Sequence, residues 1–462
     1  MAGENIHMTH SYKLLGYNII LDIASGSIHS VDDAAFDAIT LYESENEDSL
    51  PEKIKEKHPQ LTENDINELI SDIKVLKSLG KLFTPDNFAA AAFDAGKKAS
   101  IKAMCFNVSH LCNMTCAYCF AGKGEYGGTG GLMPLETGKR AIDFLIENSD
   151  GRRNLDIDFF GGEPLLNWEV VKEIVLYAHS KERQYSKNFR FTLTTNGLGI
   201  NDDVIEFTNK YMHNMVLSLD GRGAVNDLYR KLPNGNGTYN EVLPKIKKLV
   251  KARGGKGYYI RGTYTKENLD FTNDILHLAD LGFKELSLEP VVAKKDAPYA
   301  LTEKDLPKIF VQYELLCEEM IKRQKRGEGF SFYHYNLDLS GGPCVHKRIA
   351  GCGVGTEYLA VCPDGTLYPC HQFVGDENFK MGDIFSGILK SKQKFGGENF
   401  GAANIYTRRR CKDCWARLYC SGGCAANAYN DTGDIFGIYE FGCEMFKKRI
   451  ECAIVRQVAL LI

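Results

Sequence analysis

The sequence has no long apolar run: nothing approaches the roughly 18 consecutive apolar residues of a membrane-crossing helix. It has no signal-peptide-like apolar core near its start, and without an export segment a cytoplasmic protein is expected. It has no excess of either charge. Lys plus Arg is 56 and Asp plus Glu is 60, a formal net charge of -4, which excludes a strongly basic nucleic-acid binder. The glycine-rich loop GKGEYGGTGG at 122–131 lacks the GKS or GKT of a phosphate-binding loop. Nucleotide binding by that route is excluded, and a flexible lid is expected instead. The 462 residues are 44% hydrophobic, too apolar for a disordered chain. At roughly 100–200 residues per domain, about two to four domains are expected.

What the chain has in excess is cysteine, 15 residues. A disulfide-bonded secreted protein fits poorly: the chain is long and its cysteines are clustered. Zinc is the simplest reading of each CxxC taken alone. Iron–sulfur clusters ask for cysteines in fours, or in threes where one iron is left open. The positions fall into three groups: Cys112, Cys116 and Cys119; Cys344, Cys352, Cys362 and Cys370; and Cys411, Cys414, Cys420, Cys424 and Cys443. Cys105, Cys317 and Cys452 stand apart and read as ordinary thiols.

Apolar periodicity divides the chain into unlike stretches. Met1 to about His10 reads as a flexible start. Apolar residues then alternate at Tyr17, Ile19, Leu21 and Ile23, as in short strands. Three helices follow, the first capped by Asp32 or Asp33 and the last stopped by Gly80. Residues 1–90 thus have the content of a winged-helix-like domain, and FAAAAFDAGKKAS reads as a linker. Across residues 91–310 strands and helices alternate about six times, which predicts an α/β fold with a partial (β/α)6 TIM-like barrel. Asn107-Val108-Ser109, Gly161-Gly162-Glu163-Pro164, Thr195-Asn196-Gly197, Asp220-Gly221 and Glu289-Pro290 all end strands, where sites gather in such folds. The charged helix Leu301 to Arg326 leads into a helical bridge over 311–339. Residues 340–462 are glycine- and cysteine-rich with only short regular segments, a module that metal would have to staple.

The spacing Cys112-x3-Cys116-x2-Cys119, followed by Phe120, puts three thiolates on a tight loop. They can hold three irons of a cubane and leave the fourth for a small molecule. A structural zinc would want a fourth ligand, and His110 is near. This motif, after the first barrel strand, resembles the radical S-adenosylmethionine superfamily. The resemblance implies that Gly161, Gly162, Glu163 and Pro164 hold the methionine amino group of the cofactor. It makes Asn196 the third-strand end, Ser218 a cofactor contact and Arg261 a partner of the cofactor carboxylate. Glu289 is a candidate for ribose or peptide contact, and Phe120 for shielding the cluster. The implied chemistry is one-electron cleavage of the sulfonium to a 5'-deoxyadenosyl radical, which abstracts a hydrogen while the protein excludes water and oxygen.

Cys352-x12-Gly365-x4-Cys370, then Cys411-x2-Cys414-x5-Cys420-x3-Cys424 and Cys443, resembles the SPASM domain, which holds two auxiliary four-iron clusters. With the first site this implies three [4Fe-4S] clusters. The family pattern gives one auxiliary cluster Cys411, Cys414, Cys420 and Cys443. The other takes Cys424 with members of Cys344, Cys352, Cys362 and Cys370; Cys370 is the firmest of these. Nine C-terminal cysteines for eight places leave at least one over. Nearly the whole chain is similar to maturases of SCIFF peptides, which join a cysteine sulfur to a threonine alpha carbon. That resemblance implies a ribosomally made precursor peptide whose leader adds an edge strand beside the third strand and third helix of the N-terminal domain. It also implies a small electron donor such as ferredoxin or flavodoxin, and neither nucleic acid nor membrane as partner. Sulfatase maturases carry an aspartate after the last cysteine of the first auxiliary motif. Here that place holds His371, which argues against formylglycine formation. The alternatives are another peptide modification on the same scaffold, a carbon–carbon crosslink or formylglycine, or a non-catalytic electron-transfer protein. Of the remaining polar groups, Tyr118 reads as packing, Asp158 as facing helices, and Arg408-Arg409-Arg410 as solvated surface.

Overall fold

The computed structural model describes residues 7–89, 100–128, 131–339, 345–389 and 397–461. Cys344 lies outside the described residues.

Strands β1 (Thr9–Leu14), β2 (Tyr17–Asp22) and β3 (Ile28–Val31) form an antiparallel sheet in that order. Leu15 and Gly16, both at positive φ, make the two-residue turn between β1 and β2. β2 is buried on both faces. Ile19 and Leu21 join the main core, while Ile20 packs beneath helices α1 (Asp33–Ser44), α2 (Leu50–Lys57) and α3 (Glu63–Ser78). Asp32 caps α1 through the Ala35 amide at 2.8 Å. Thr62 and Asp65 form a capping box on α3, and Gly80 turns the chain out of it at φ 62°. Within this sheet β3 pairs on one side only, with β2.

From residue 103 the alternation is regular: β4 (Ala103–Ser109), α4 (Leu135–Glu147), β5 (Asn154–Gly161), α5 (Trp168–Tyr185), β6 (Asn188–Thr195), α6 (Asp202–Tyr211), β7 (Asn214–Ser218), α7 (Gly223–Tyr229), α8 (Tyr239–Arg253), β8 (Gly257–Tyr264), α9 (Phe271–Asp280) and β9 (Glu285–Pro290). The six strands pair in sequential order, all parallel. Each shows one face to the helices. On β5 these are Leu155, Ile157 and Phe159, fully buried with Val171, Ile174 and Val175 of α5. Asp158 takes the other face, beside Cys105 of β4, and accepts a hydrogen bond from Thr192. The expectation that Asp158 faces the helices is therefore corrected: strand alternation sends it the opposite way. Helix α10 (Leu306–Lys325) follows, then β10 (Ser331–Phe332), which adds to β9 in parallel.

The C-terminal region continues the same sheet. After α11 (Val345–Ala350), β11 (Tyr358–Val361) pairs parallel to β4, with Ala360 opposite Cys105. β12 (Thr366–Tyr368), β13 (Gly382–Asp383) and β14 (Gly387–Ile388) follow antiparallel. The result is one mixed sheet of eleven strands, β10-β9-β8-β7-β6-β5-β4-β11-β12-β13-β14. Short helices α12 (Gly397–Ala402), α13 (Arg417–Cys420) and α14 (Ala425–Thr432) surround the cysteines. The chain then runs into α15 (Glu440–Leu461), 22 residues long. Only short segments were expected here. The glycine and cysteine content hides an apolar face, Phe441, Met445, Ile450, Ile454 and Val458, that packs against α10. Cys317 of α10 donates to the Cys452 carbonyl across that seam at 3.2 Å. Among the described residues, no helix is long and apolar enough to cross a membrane.

Candidate functional site

Cys112, Cys116 and Cys119 lie in the loop that leaves the end of β4. The loop is a string of turns, with amide-to-carbonyl bonds Cys119 to Cys116, Gly122 to Cys119 and Gly124 to Ala121. Its outer side is anchored by the Thr115 amide on the Lys231 carbonyl, 2.8 Å. Beneath it, Asp220 is 1% exposed and gathers three donors. Tyr118 Oη donates to Oδ2 at 2.5 Å; Arg230 Nε and the Thr263 amide donate to Oδ1 at 3.0 Å each. Tyr118 was expected to do packing alone. It is in fact the loop's hydrogen-bond tether to the end of β7, a role invisible until Asp220 and Arg230 are brought together by the fold.

The inner side of the loop runs against the end of β5 with almost no clearance. The Gly162 amide donates to the Ser109 carbonyl at 2.7 Å and the Glu163 amide to Leu111 at 2.9 Å. A Cβ on Gly161 would sit 2.2 Å from the Ser109 oxygen, and one on Gly162 would sit 2.3 Å from the Leu111 oxygen. Two glycines are thus required by backbone approach. Glu163 is 1% exposed. Its Oε1 accepts from Thr195 Oγ1 (2.7 Å) and the Leu165 amide (3.0 Å), and its Oε2 accepts from the Asn196 amide (2.8 Å). Burial nevertheless pushes its carboxyl up. Pro164 opens the turn Pro164–Asn167, from which Asn167 Nδ2 donates to the carbonyls of Val108 and Met133, each 2.9 Å. Asn196 closes the group: its Nδ2 donates to Asn113 Oδ1 at 2.8 Å and lies 3.7 Å from Cys112 Sγ.

Across the mouth, Ser218 and Arg261 are register neighbours on β7 and β8. Arg261 Nη2 lies 4.0 Å from Glu289 at the end of β9. Glu289 also meets His334 at 3.4 Å and Arg449 of α15 at 3.5 Å. Burial raises its pKa, but His334, Arg449 and Arg261 outweigh burial and lower it overall. Nothing in the sequence pairs Arg449 with the parallel strands, because it arrives on the helix that composition concealed.

The C-terminal region closes over the same space. The His371 ring lies 5.8 Å from Phe120 and 5.0 Å from Phe160, and its Nδ1 is 3.5 Å from the Tyr358 hydroxyl. Burial, aided by Arg261, pushes the imidazole down to about 4, so it is neutral near pH 7. Phe120 also packs edge-on to Tyr126, and the Tyr126 hydroxyl donates to the Gly161 carbonyl at 3.2 Å. Loop, second strand end and C-terminal region therefore meet around Phe120.

The remaining thiols fall into two neighbourhoods. Cys420 and Cys443 feel one another together with Cys411 and Cys414, and burial pushes both thiols up to about 12. Cys443 stands in the first turn of α15. Cys370 is pushed up to about 12 by burial, with Cys424 and Cys352 as its thiol neighbours. Cys362 is buried, but the charges it feels are Asp364 and Lys380. Among the described residues, no three Cys, His, Asp or Glu side chains close onto a single ion. A cubane takes cysteine thiolates alone, one to each iron, in fours or in threes. His110 stacks on Tyr126 at 4.8 Å. The donor set thus fits iron–sulfur clusters. Arg408 is 4% exposed, which corrects its assignment to solvated surface; Arg409 and Arg410 are exposed.

The Radical SAM superfamily profile matches residues 106–278, and the SPASM profile, an iron–sulfur cluster-binding domain, matches 352–415. The chain is a radical SAM enzyme with a SPASM domain. It is similar to the cysteine-type anaerobic sulfatase-maturating enzyme of Clostridium novyi, 27% identical over 374 residues, covering 74% of this chain and 92% of the relative. Its fold is similar to native anSMEcpe with bound AdoMet and Cp18Cys peptide: TM-score 0.63, 22% identity, 79% of this chain and 100% of that one. It is also similar to Streptococcus suis SuiB bound to precursor peptide SuiA, with TM-score 0.54 and 15% identity, covering 92% and 96%. The enzyme is thus related to sulfatase-maturating and to precursor-peptide enzymes alike, and the likenesses do not single out SCIFF maturases.

Proposed function

We propose that the enzyme oxidises a side chain of a peptide or protein held in the chamber between Phe120, Phe160, His371 and Arg261. One observation carries the reading: the cysteine-rich region is hydrogen-bonded onto β4, and His371, next to Cys370, meets Phe120, next to Cys119. Cys112, Cys116 and Cys119 would hold the cluster whose bound S-adenosylmethionine supplies the radical. Gly161, Gly162, Glu163, Asn196, Ser218, Arg261 and Glu289 would orient that cofactor, and Phe120 would exclude water. The C-terminal thiols would hold the two auxiliary clusters, three in all, fed by a small donor of the ferredoxin or flavodoxin type. Relatives named for sulfatase maturation and for a bound precursor peptide support the substrate class.

The open edge of β3, whose His29 ring reaches the Lys81 carbonyl just past α3 at 2.9 Å, suits a leader peptide added as a strand. Histidine, where sulfatase maturases place a carboxylate, favours a crosslink, including the cysteine-to-threonine thioether, over formylglycine.

The test is anaerobic incubation of the iron-reconstituted chain with reductant, S-adenosylmethionine and a leader-bearing cysteine-containing peptide, read by deoxyadenosine release and tandem mass spectrometry. The expected result is deoxyadenosine with a product lighter by two hydrogens. One alkylatable thiol fewer marks the thioether and unchanged thiols mark a carbon–carbon bond, whereas an aldehyde formed from cysteine, with sulfide released by water and a loss of about eighteen daltons, marks formylglycine. Deoxyadenosine without change in precursor or sulfatase-derived peptides overturns the substrate class.

A further inference from the structure

Arg408 is a buried cation without a carboxylate. It is 4% exposed, and among the described residues no Asp or Glu pairs with it, whereas Arg410 two residues on meets Glu440 at the surface. Its Nη1 donates to the Gly437 carbonyl at 3.0 Å, and its buried Nε has no partner. The side chain runs beneath the loop between Cys420 and Cys424. A Cβ on Gly422 would lie 3.6 Å from Arg408 Cδ and Nε, and the backbone ties Arg408 to the cysteines through the Cys411 amide on its carbonyl, 3.1 Å. A buried guanidinium held only by a carbonyl is costly. Burial pulls its pKa down, and the groups that push it back up are the thiols of Cys411, Cys424, Cys420 and Cys443. These belong to both thiol neighbourhoods.

We infer that Arg408 is a positioning residue of the auxiliary iron–sulfur centre, its buried charge and free N–H offsetting the thiolates of Cys411, Cys420, Cys424 and Cys443 and raising the reduction potential of the clusters they hold. The inference rests on the cluster reading above. Four thiolates on a cubane leave a net negative unit, and reduction adds one more negative charge. A fixed cation and a hydrogen-bond donor beside the sulfurs stabilise the reduced state more than the oxidised one. A lone surface arginine would be screened and would do little.

The test uses the full chain with Cys112, Cys116 and Cys119 changed to Ala, so that only C-terminal iron is read, reconstituted anaerobically. Arg408→Gln and Arg408→Lys are compared by iron content and by redox titration followed with electron paramagnetic resonance. Arg408→Lys is expected to keep its iron and a midpoint close to the parent. Arg408→Gln is expected either to shift the midpoint to more negative potential with altered g-values, or to lose iron that Arg408→Lys retains. Full iron with an unmoved midpoint in Arg408→Gln overturns the inference, as does equal loss of iron in both variants, which marks a role in shape alone. A parent chain whose C-terminal thiols take up no iron overturns the cluster reading itself, and does so independently of Arg408.

Discussion

Arg417 and Asp86, 331 residues apart in sequence, form a mostly buried ion pair: Nη2 and Nε of Arg417 donate to one Asp86 oxygen at 2.8 and 3.1 Å. Tyr406 adds its hydroxyl at 2.8 Å. The pair latches the segment that follows α3 to the cysteine-rich region. Burial alone would raise the Asp86 carboxyl, but the Phe88 amide, Arg417 and Tyr406 together hold it below the usual range. A lowered folded-state pKa means the latch contributes fully above the ordinary carboxylate pKa and is lost as pH falls through the folded value. Asp86→Asn leaves Arg417 buried without its counter-charge and should cost about 2–3 kcal/mol. Urea unfolding at neutral pH should show the loss, and the variant's stability should fall less steeply in acid than that of the parent.

The glycines at the end of β5 give a second prediction. Gly162→Ala must place a methyl 2.3 Å from the Leu111 carbonyl oxygen, so the cysteine loop has to move. The expected result is at least about tenfold weaker S-adenosylmethionine binding, roughly 1.4 kcal/mol. Equilibrium titration of the iron-loaded protein measures it. Gly151→Ala, where a Cβ meets nothing within 4 Å, serves as the control.

A third concerns the surplus thiol. Cys370 has Cys424 and Cys352 as its thiol neighbours, whereas Cys362 packs with Cys105 and Cys370 in a buried apolar cluster. Cys362→Ser should keep the full iron content of the parent, and Cys370→Ser should lose most of one cluster. Iron and sulfide assays decide it; equal losses would place Cys362 among the ligands.

The exposed side of α3 supplies a fourth. Val75 is 51% exposed, on the face of α3 that also carries Ile70, Lys74 and Ser78. If a leader lies against this helix, Val75→Glu should weaken leader-peptide binding by about tenfold. Cofactor cleavage without peptide should be unchanged. Fluorescence anisotropy with a labelled leader is the measurement.

The alternation across residues 91–310 was legible in the sequence, as the helices Asp202–Tyr211 and Tyr239–Arg253 and the strand Gly257–Tyr264 illustrate. Their apolar periods are regular and their ends are marked, α6 by the Asn201 cap and α8 by Gly254 at φ 56°. Cysteine spacing announced the loop and the C-terminal groups for the same reason: both are local patterns. What escaped reading joins distant segments. Tyr118, Asp220 and Arg230 meet only after three loops converge, Arg449 only after α15 packs on α10, and Arg408 reads as surface because two exposed arginines follow it. Asp158 was misplaced because a strand's two faces look alike until something covers one of them.

The ladder between β4 and β11 has a consequence for how the enzyme can be taken apart. β4, the strand that delivers the cysteine loop, is interior to the sheet only because β11 lies along it. Cutting the chain ahead of residue 345 would strip that neighbour and leave a naked row of amides and carbonyls at the base of the three-cysteine loop, inviting pairing with foreign strands. The same backbone ladder fixes the start of the cysteine-rich region against the strand that ends in the cysteine loop. Grafting this C-terminal module onto another α/β sheet will require carrying the β4 interface with it.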